Sequence, residues 1–491
     1  MKTSDDGNVS GLSFTLSGTL LAGGTYSETK KTDANGKINF GKVPRGTYTM
    51  SENLTEEQAQ IYLPNDPVSF TIDADTEDPY VVSFHNSVPE IETDAADTES
   101  GLNHIEANAT ASVTDVVSFK NLYPGKEFKL VGEIYDRETG ESIGVTAETT
   151  FTPEAADGTV EVVFEFDASE LGGKILVCFE TLYFKDAKIA VHADIEDDRQ
   201  TIFVPSITTD AKCDATGTHE GSVSEKITVT DLIHYSGLLP GKSYECEGVL
   251  YDRATNEPLL VNGKKVTANT TFTPETADGT VELTFAFDST VLSGKMVVAF
   301  ETLYYEGVEV AVHADINDDN QAVVFPNIAT KASDNSNGGA TLSGSRIRDK
   351  ISYSGLTPGA KYVIVTRVYD KNAKALLGVK RESNFTPEKA SGTTTVVIDV
   401  DTSSLEMHSL VVFEEIYLVT KDGRVLVAAH KDPNDKAQTL YVPGLLPKTG
   451  DESRLIVWGL ATGASFVGVL FAAKKLVGKK KEDDVDRKAA S

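Results

Sequence analysis

The sequence predicts an all-β chain: tandem immunoglobulin-like β-sandwiches followed by one C-terminal transmembrane helix. Three observations predict it. One order of motifs recurs three times at a spacing of about 120 residues. The repeats consist of short alternating or apolar stretches, such as Val160-Glu-Val-Val-Phe-Glu-Phe166, set between turn signals such as Asp157-Gly158. A single apolar run, Leu455 to Ala473, is about long enough to cross a bilayer as a helix.

Composition narrows the function classes. The 491 residues carry 45 Lys+Arg against 75 Asp+Glu, a formal net charge of −30. Such a polyanion repels nucleic acid and acidic membranes, so no nucleic-acid partner is expected. With 21 Phe and 17 Tyr the chain has the material for packed domains. Its three cysteines, Cys178, Cys213 and Cys246, exclude a disulfide-dense scaffold, and no CxxC or Cys/His cluster suggests zinc.

Residues 1–88 stand apart from the repeats. Gly11-Leu-Ser-Phe14-Thr-Leu16, Gly36-Lys-Ile-Asn-Phe40, Val43-Pro-Arg-Gly-Thr-Tyr48 and Val81-Val-Ser-Phe84 predict a smaller β-sandwich. Three repeats follow, at 89–205, 206–326 and 327–443. Each carries a Tyr-Asp-Arg/Lys motif (Tyr135, Tyr251, Tyr369), a Phe-Thr-Pro-Glu (Phe151, Phe272, Phe385) and a late Phe-Glu. Proline marks every junction (Pro89, Pro205, Pro326, Pro443) without Gly/Ser linkers, which predicts a stiff string of domains. Residues 444–491 hold Leu446-Pro447-Lys448-Thr449-Gly450, the apolar run 455–473 and a lysine-rich tail that would remain cytoplasmic. Met1-Lys2-Thr3-Ser4 has neither the basic nor the apolar region of a signal peptide. An exported protein needs one, so the chain is expected to be a C-terminal part of a longer protein.

Each repeat aligns three polar features. A Thr lies near its start (Thr93, Thr209, Thr330), and a Glu sits in a late apolar strand (Glu180, Glu301, Glu414). A loop then reads His-x-Asp-x-x-Asp-x-x-Gln. The loop residues are His192, Asp194, Asp197 and Gln200; His313, Asp315, Asp318 and Gln321; His430, Asp432, Asp435 and Gln438. Side chains alternate along a strand, so Thr93 shares a face with Ile91 and Ala95, and Gln200 with Ile202 and Val204. Both therefore look into the core, as does Glu180 in the series Leu176, Cys178, Glu180, Leu182. Desolvation should keep that carboxyl protonated. A buried hydroxyl, a carboxamide, a neutral carboxylic acid and a His–Asp pair form an acyl-transfer set. In this reading the His accepts the hydroxyl proton, the Glu polarises the amide, ammonia leaves and a Thr–Gln ester remains, shielded from water. Beside a plain hydrogen-bonded core, two bland readings compete: residues shared only through recent duplication, although the third repeat has drifted widely while keeping them, and a calcium loop. Asp315-x-Asn317-x-Asp319 starts like an EF-hand but has Asn320 and Pro326 where Gly and Glu are required. No metal or cofactor is expected.

The repeats resemble the VaFE-type repeats of Gram-positive adhesins, related to domains with intramolecular ester crosslinks. That resemblance implies bonds Thr93–Gln200, Thr209–Gln321 and Thr330–Gln438, with Asp197, Asp318 and Asp435 as the partners of the histidines. The third repeat departs from the others by Lys431 and Pro433 in its loop. Residues 1–88 resemble the SpaA-type, or collagen-adhesin B-type, domain. There the resemblance implies a Lys2–Asn86 isopeptide bond assisted by Glu52. Burial would make the Lys amine a competent nucleophile; because Lys2 directly follows Met1, a solvated terminal lysine is the alternative.

Leu446 to Gly450, the apolar span and the basic tail resemble the cell-wall sorting signal of Gram-positive surface proteins. The resemblance implies cleavage between Thr449 and Gly450 by sortase and transfer to peptidoglycan, after a stage as a membrane-anchored helix. The expected protein is thus secreted and wall-anchored: a rigid adhesin stalk presenting an N-terminal region to a host surface or matrix ligand. A sortase-polymerised pilus subunit, or the stalk of a surface enzyme, is the alternative. Residues 1–443 show no nucleophile elbow, catalytic cleft or phosphate loop, so only single-turnover self-crosslinking is expected.

Overall fold

The computed structural model describes residues 1–444. The sorting motif Leu446–Gly450 and the apolar run 455–473 lie outside the described residues. Among those described, no helix is long and apolar enough to cross a membrane, and the lone helix is one capped turn, Glu56–Ala59.

Four β-sandwich units follow one another. In the first, a four-stranded antiparallel sheet (Thr25–Lys31, Ser13–Leu20, Gly46–Asn53, Val68–Ile72) packs through Leu12 and Phe14 against Phe84. Phe84 belongs to a two-stranded parallel pair, Lys2–Ser4 with Phe84–Asn86, which places the first and last strands of the unit side by side.

Each repeat pairs a three-stranded sheet with a larger one. In the first repeat the small sheet is Gly158–Phe166, Ala111–Lys120 and Glu90–Asp97. The large one is Ser142–Phe151, Phe128–Asp136, Ile175–Phe184 and Ala187–His192, with Thr201–Phe203 pairing Ile175–Phe184. The period-2 pattern does the sorting. In Glu90–Asp97, Ile91, Thr93 and Ala95 are buried while their neighbours face solvent. The other repeats copy this plan, the second adding a small hairpin, Leu260–Val261 with Lys264–Lys265. In the third repeat the apolar core divides into two clusters. One holds Ile328, Ile351, Ile364 and Ile416, the other Ala332, Ile347, Val368 and Val412. Between them in sequence, on the same buried faces, lie Thr330, Asp349, Thr366 and Glu414, so a polar layer crosses the middle of the sandwich.

The joints between repeats are also built from side chains. A loop residue that bridges to the last strand of one repeat (His104 to Phe203, Glu220 to Val324) reaches the first tyrosine of the next repeat's large sheet. Tyr244 accepts the Leu239 amide hydrogen at 2.8 Å and its hydroxyl lies 2.7 Å from His104 Nε2. Tyr362 accepts from the Thr357 amide at 2.8 Å and donates to Glu220 Oε2 at 2.5 Å. Burial lowers the His104 pKa to about 4 and raises that of Glu220. The residue equivalent to these tyrosines in the first repeat is Phe128, where no earlier repeat offers a partner.

Candidate functional site

Backbone hydrogen bonds bring the first and last segments of each repeat together before any side chain is considered. The amide of Ala95, two residues after Thr93, donates to Arg199 O at 2.9 Å; Ala211 and Ala332 do the same to Asn320 O and Ala437 O. Each of those carbonyls belongs to the residue before the Gln. The Gln carbonyl in turn accepts from the strand that carries the Glu: Cys178 N to Gln200 O at 3.0 Å, Ala299 N to Gln321 O at 3.1 Å, Val412 N to Gln438 O at 3.2 Å. Thr, Gln and Glu are thereby held in one buried layer.

All nine side chains are buried. In the second repeat Gln321 Nε2 donates to Thr209 Oγ1 at 2.9 Å and to Glu301 Oε2 at 2.8 Å. In the first, Gln200 Nε2 donates to Glu180 Oε2 at 2.8 Å, while Thr93 Oγ1 is buried without a hydrogen-bond partner. In the third, Gln438 Nε2 donates to Thr330 Oγ1, and Glu414 Oε2 accepts instead from Thr366 Oγ1 at 2.8 Å. The three Gln Oε1 atoms have no donor.

The loop aspartates divide by role. Asp197, Asp318 and Asp435 contact Nε2 of His192, His313 and His430 at 2.8, 3.0 and 2.8 Å. Asp194, Asp315 and Asp432 instead cap the loop turn, each accepting from the amide two residues on. The third loop keeps its His–Asp contact despite Pro433, and Lys431 turns outward to pair with Glu415. The other nitrogen of each ring, Nδ1, lies 3.2–3.4 Å from the carbonyl of Ile91, Ile207 or Ile328. Neither ring nitrogen contacts the threonine hydroxyl: the ring ties the loop to the strand two residues before the Thr.

A second carboxylate is buried in the same layer. Asp115, Asp231 and Asp349 are fully buried beside Glu180, Glu301 and Glu414. Desolvation, reinforced by this neighbour, lifts each Glu well above the carboxylate range, and burial raises the aspartates too. Oε1 of every Glu and at least one oxygen of every Asp have no donor. Each Glu–Asp pair is placed to share a proton, and in the second repeat Thr209 Oγ1 lies 3.5 Å from Glu301 Oε2.

In the first unit Lys2 is 3% exposed and Asn86 is fully buried. The lysine is therefore not the solvated terminal residue of the alternative reading. Its Nζ contacts Asn86 Oδ1 and lies 3.3 Å from Glu52 Oε1, which accepts from Asn86 Nδ2 at 3.0 Å. Burial lowers the Lys2 pKa, against the opposing pull of Glu52.

Two family models match the chain, one for the repeats and one for the first unit. The T-Q ester bond containing domain matches residues 89–204, 205–325 and 326–442. The chain belongs to the T-Q ester bond family. Ahead of the three T-Q domains, residues 1–87 match the SpaA prealbumin-like fold domain. No curated protein matches the T-Q chain. Among solved structures it is similar to a bacterial adhesin from Mobiluncus mulieris containing intramolecular disulfide, isopeptide and ester bond cross-links (14% identity, 50% of this chain and 88% of that one, TM-score 0.21). It is also similar to a tetra-tandem repeat in the extending region of a large adhesion protein (12%, 89% and 93%, TM-score 0.20).

Sequence reasoning missed the T-Q aspartates. Asp115, Asp231 and Asp349 open a motif shared by the three repeats, each flanked at ±2 by inward apolar residues, and that combination was the available signal. In the described T-Q chain the three cysteines are free and buried, and no cluster of His, Cys, Asp or Glu is placed to hold a metal.

Proposed function

We propose that this chain is the self-crosslinked stalk of a bacterial surface adhesin, closed by Thr93–Gln200, Thr209–Gln321 and Thr330–Gln438 esters and a Lys2–Asn86 isopeptide. The observation that carries the reading is the contact of Gln321 with Thr209 inside a buried layer that also holds the Glu301–Asp231 carboxyl pair. Asp231 takes the hydroxyl proton, Thr209 Oγ1 attacks Gln321 Cδ, and Glu301 protonates the departing nitrogen, which leaves as ammonia. The proton on Asp231 then returns to Glu301 across their contact, so the pair ends as it began. His313 and Asp318 hold the glutamine loop against the first strand.

Each ester closes a loop of about a hundred residues, roughly 4–5 kcal/mol in the chain-entropy model. It also joins first strand to last, so a pulling force runs through the covalent bond and the sandwich does not extend. Wall attachment through Thr449 rests on the sorting motif in the sequence, with sortase and peptidoglycan as partners. A tryptic digest tests the crosslinks: each bond yields a branched peptide, and separate Thr209 and Gln321 peptides would defeat the reading. For anchoring, Thr449→Ala should move the protein from wall to medium.

A further inference from the structure

Asn65 lies in the segment between the helical turn Glu56–Ala59 and the strand Val68–Ile72, and nothing in the motif reading singles it out. The segment is pinned on both sides of the reacting strands. The Leu63 amide donates to Ser87 O at 3.1 Å, next to Asn86, and the buried Tyr62 donates through its hydroxyl to Asp6 Oδ2 at 2.6 Å. Two residues beyond Leu63, Asn65 Nδ2 donates to Asn86 Oδ1 at 2.9 Å and to Glu52 Oε2 at 2.7 Å. Both partners are acceptors, which fixes the orientation of the Asn65 amide.

We propose that Asn65 is a catalytic residue of the Lys2–Asn86 bond, donating to the oxygen that becomes negative in the tetrahedral intermediate. The proposal rests on the reading of this unit as an isopeptide former. Neutral Lys2 Nζ attacks Asn86 Cγ and the carbonyl electron pair moves onto Oδ1. Glu52 takes a proton from Nζ and passes it to Nδ2; the Cγ–Nδ2 bond breaks, ammonia leaves, and Glu52 is returned to its starting state. Lys2 is the other group touching Oδ1, but it must turn its lone pair to Cγ to react. Asn65 is then the side-chain donor left on that oxygen among the described residues. A preoriented donor on a developing oxyanion is worth about a hundredfold or more in rate, and the second N–H of the same amide holds Glu52 against the leaving group.

The test is a pulse-chase expression of the full chain, with the Lys2–Asn86 branched peptide quantified over time and the neighbouring Thr93–Gln200 ester as an internal clock. Asn65→Leu keeps the volume and removes both donors; bond accumulation should slow by roughly a hundredfold while the ester keeps its wild-type rate. Asn65→Leu should also match the bond-free Glu52→Ala in protease resistance early in the chase, which separates lost chemistry from lost folding. Equal rates in wild type and Asn65→Leu would overturn the role of Asn65 and leave the isopeptide standing. A wild-type chain that never yields the branched peptide would overturn both.

Discussion

Thr366 donates to Glu414 Oε2 at 2.8 Å and so occupies the carboxyl oxygen that accepts the glutamine amide in the first two repeats. The positions paired with Glu180 and Glu301 are Gly132 and Gly248. A Cβ on Gly132 would lie 2.4 Å from Phe164, and one on Gly248 2.4 Å from Leu283 and 2.6 Å from Phe285. The matching residue in the third repeat is Ile398, by its pairing with Ile347 where Phe164 pairs with Val113. A smaller residue thus stands at the phenylalanine position in the repeat where Thr366 replaces the glycine. Gln438 thereby loses the carboxyl anchor that orients its amide. The third ester should form more slowly than the second, and Thr366→Gly with Ile398→Phe should speed it about tenfold, the equivalent of one hydrogen bond. Timed mass analysis of the third-repeat branched peptide checks this; no change would assign Thr366 to packing alone.

The carboxyl pair makes a separate demand. Glu301→Gln removes the acid and Asp231→Asn removes the base, and each should abolish the second ester while the first and third still form. His313→Ala should leave a slow residual reaction, because the ring touches the loop and the Ile207 carbonyl in place of the threonine. Intact mass and mapped peptides distinguish the three. Rapid, complete ester formation in Asp231→Asn would return the base role to histidine.

The joint between the first two repeats should be sensitive to acid. His104 has its folded pKa lowered from 6.5 to about 4 by burial against Tyr244 and Tyr305. The folded joint then binds fewer protons than the open one, so its stability is full above about pH 6.5 and falls as pH drops toward 4, by about 3 kcal/mol at most. Protonation gives Nε2 a hydrogen that faces the Tyr244 hydroxyl, which already accepts from Leu239. Small-angle scattering of the soluble chain should show a bend developing between pH 6.5 and 4 in wild type and absent from His104→Gln. A bend of equal size in both would place the sensitivity elsewhere.

Much of this architecture was legible because a strand's period is short and local. Ile91, Thr93 and Ala95 announce one buried face, and Leu176 to Leu182 announce the face that carries Glu180. Partners set by three-dimensional neighbours were not legible. Asp115 meets Glu180 across two sheets that share no backbone pairing. Asn65 lies in a connecting segment of a unit that occurs once, so no internal comparison could mark it. Comparing the repeats also conceals the joints, because His104 and Glu220 share a place in the fold and no chemistry. Thr366 is hidden for a related reason: its meaning depends on Ile398, more than thirty residues away.

In the proposed stalk, opposite ends of every unit are covalently joined. Intact mass of the purified protein, denatured and freed of its sorting tail, counts those bonds. The expected mass is that of the sequence less one ammonia for each of four bonds, falling to three losses in Thr209→Ala. A wild-type mass equal to that of the unmodified sequence would mean that none of the four bonds forms.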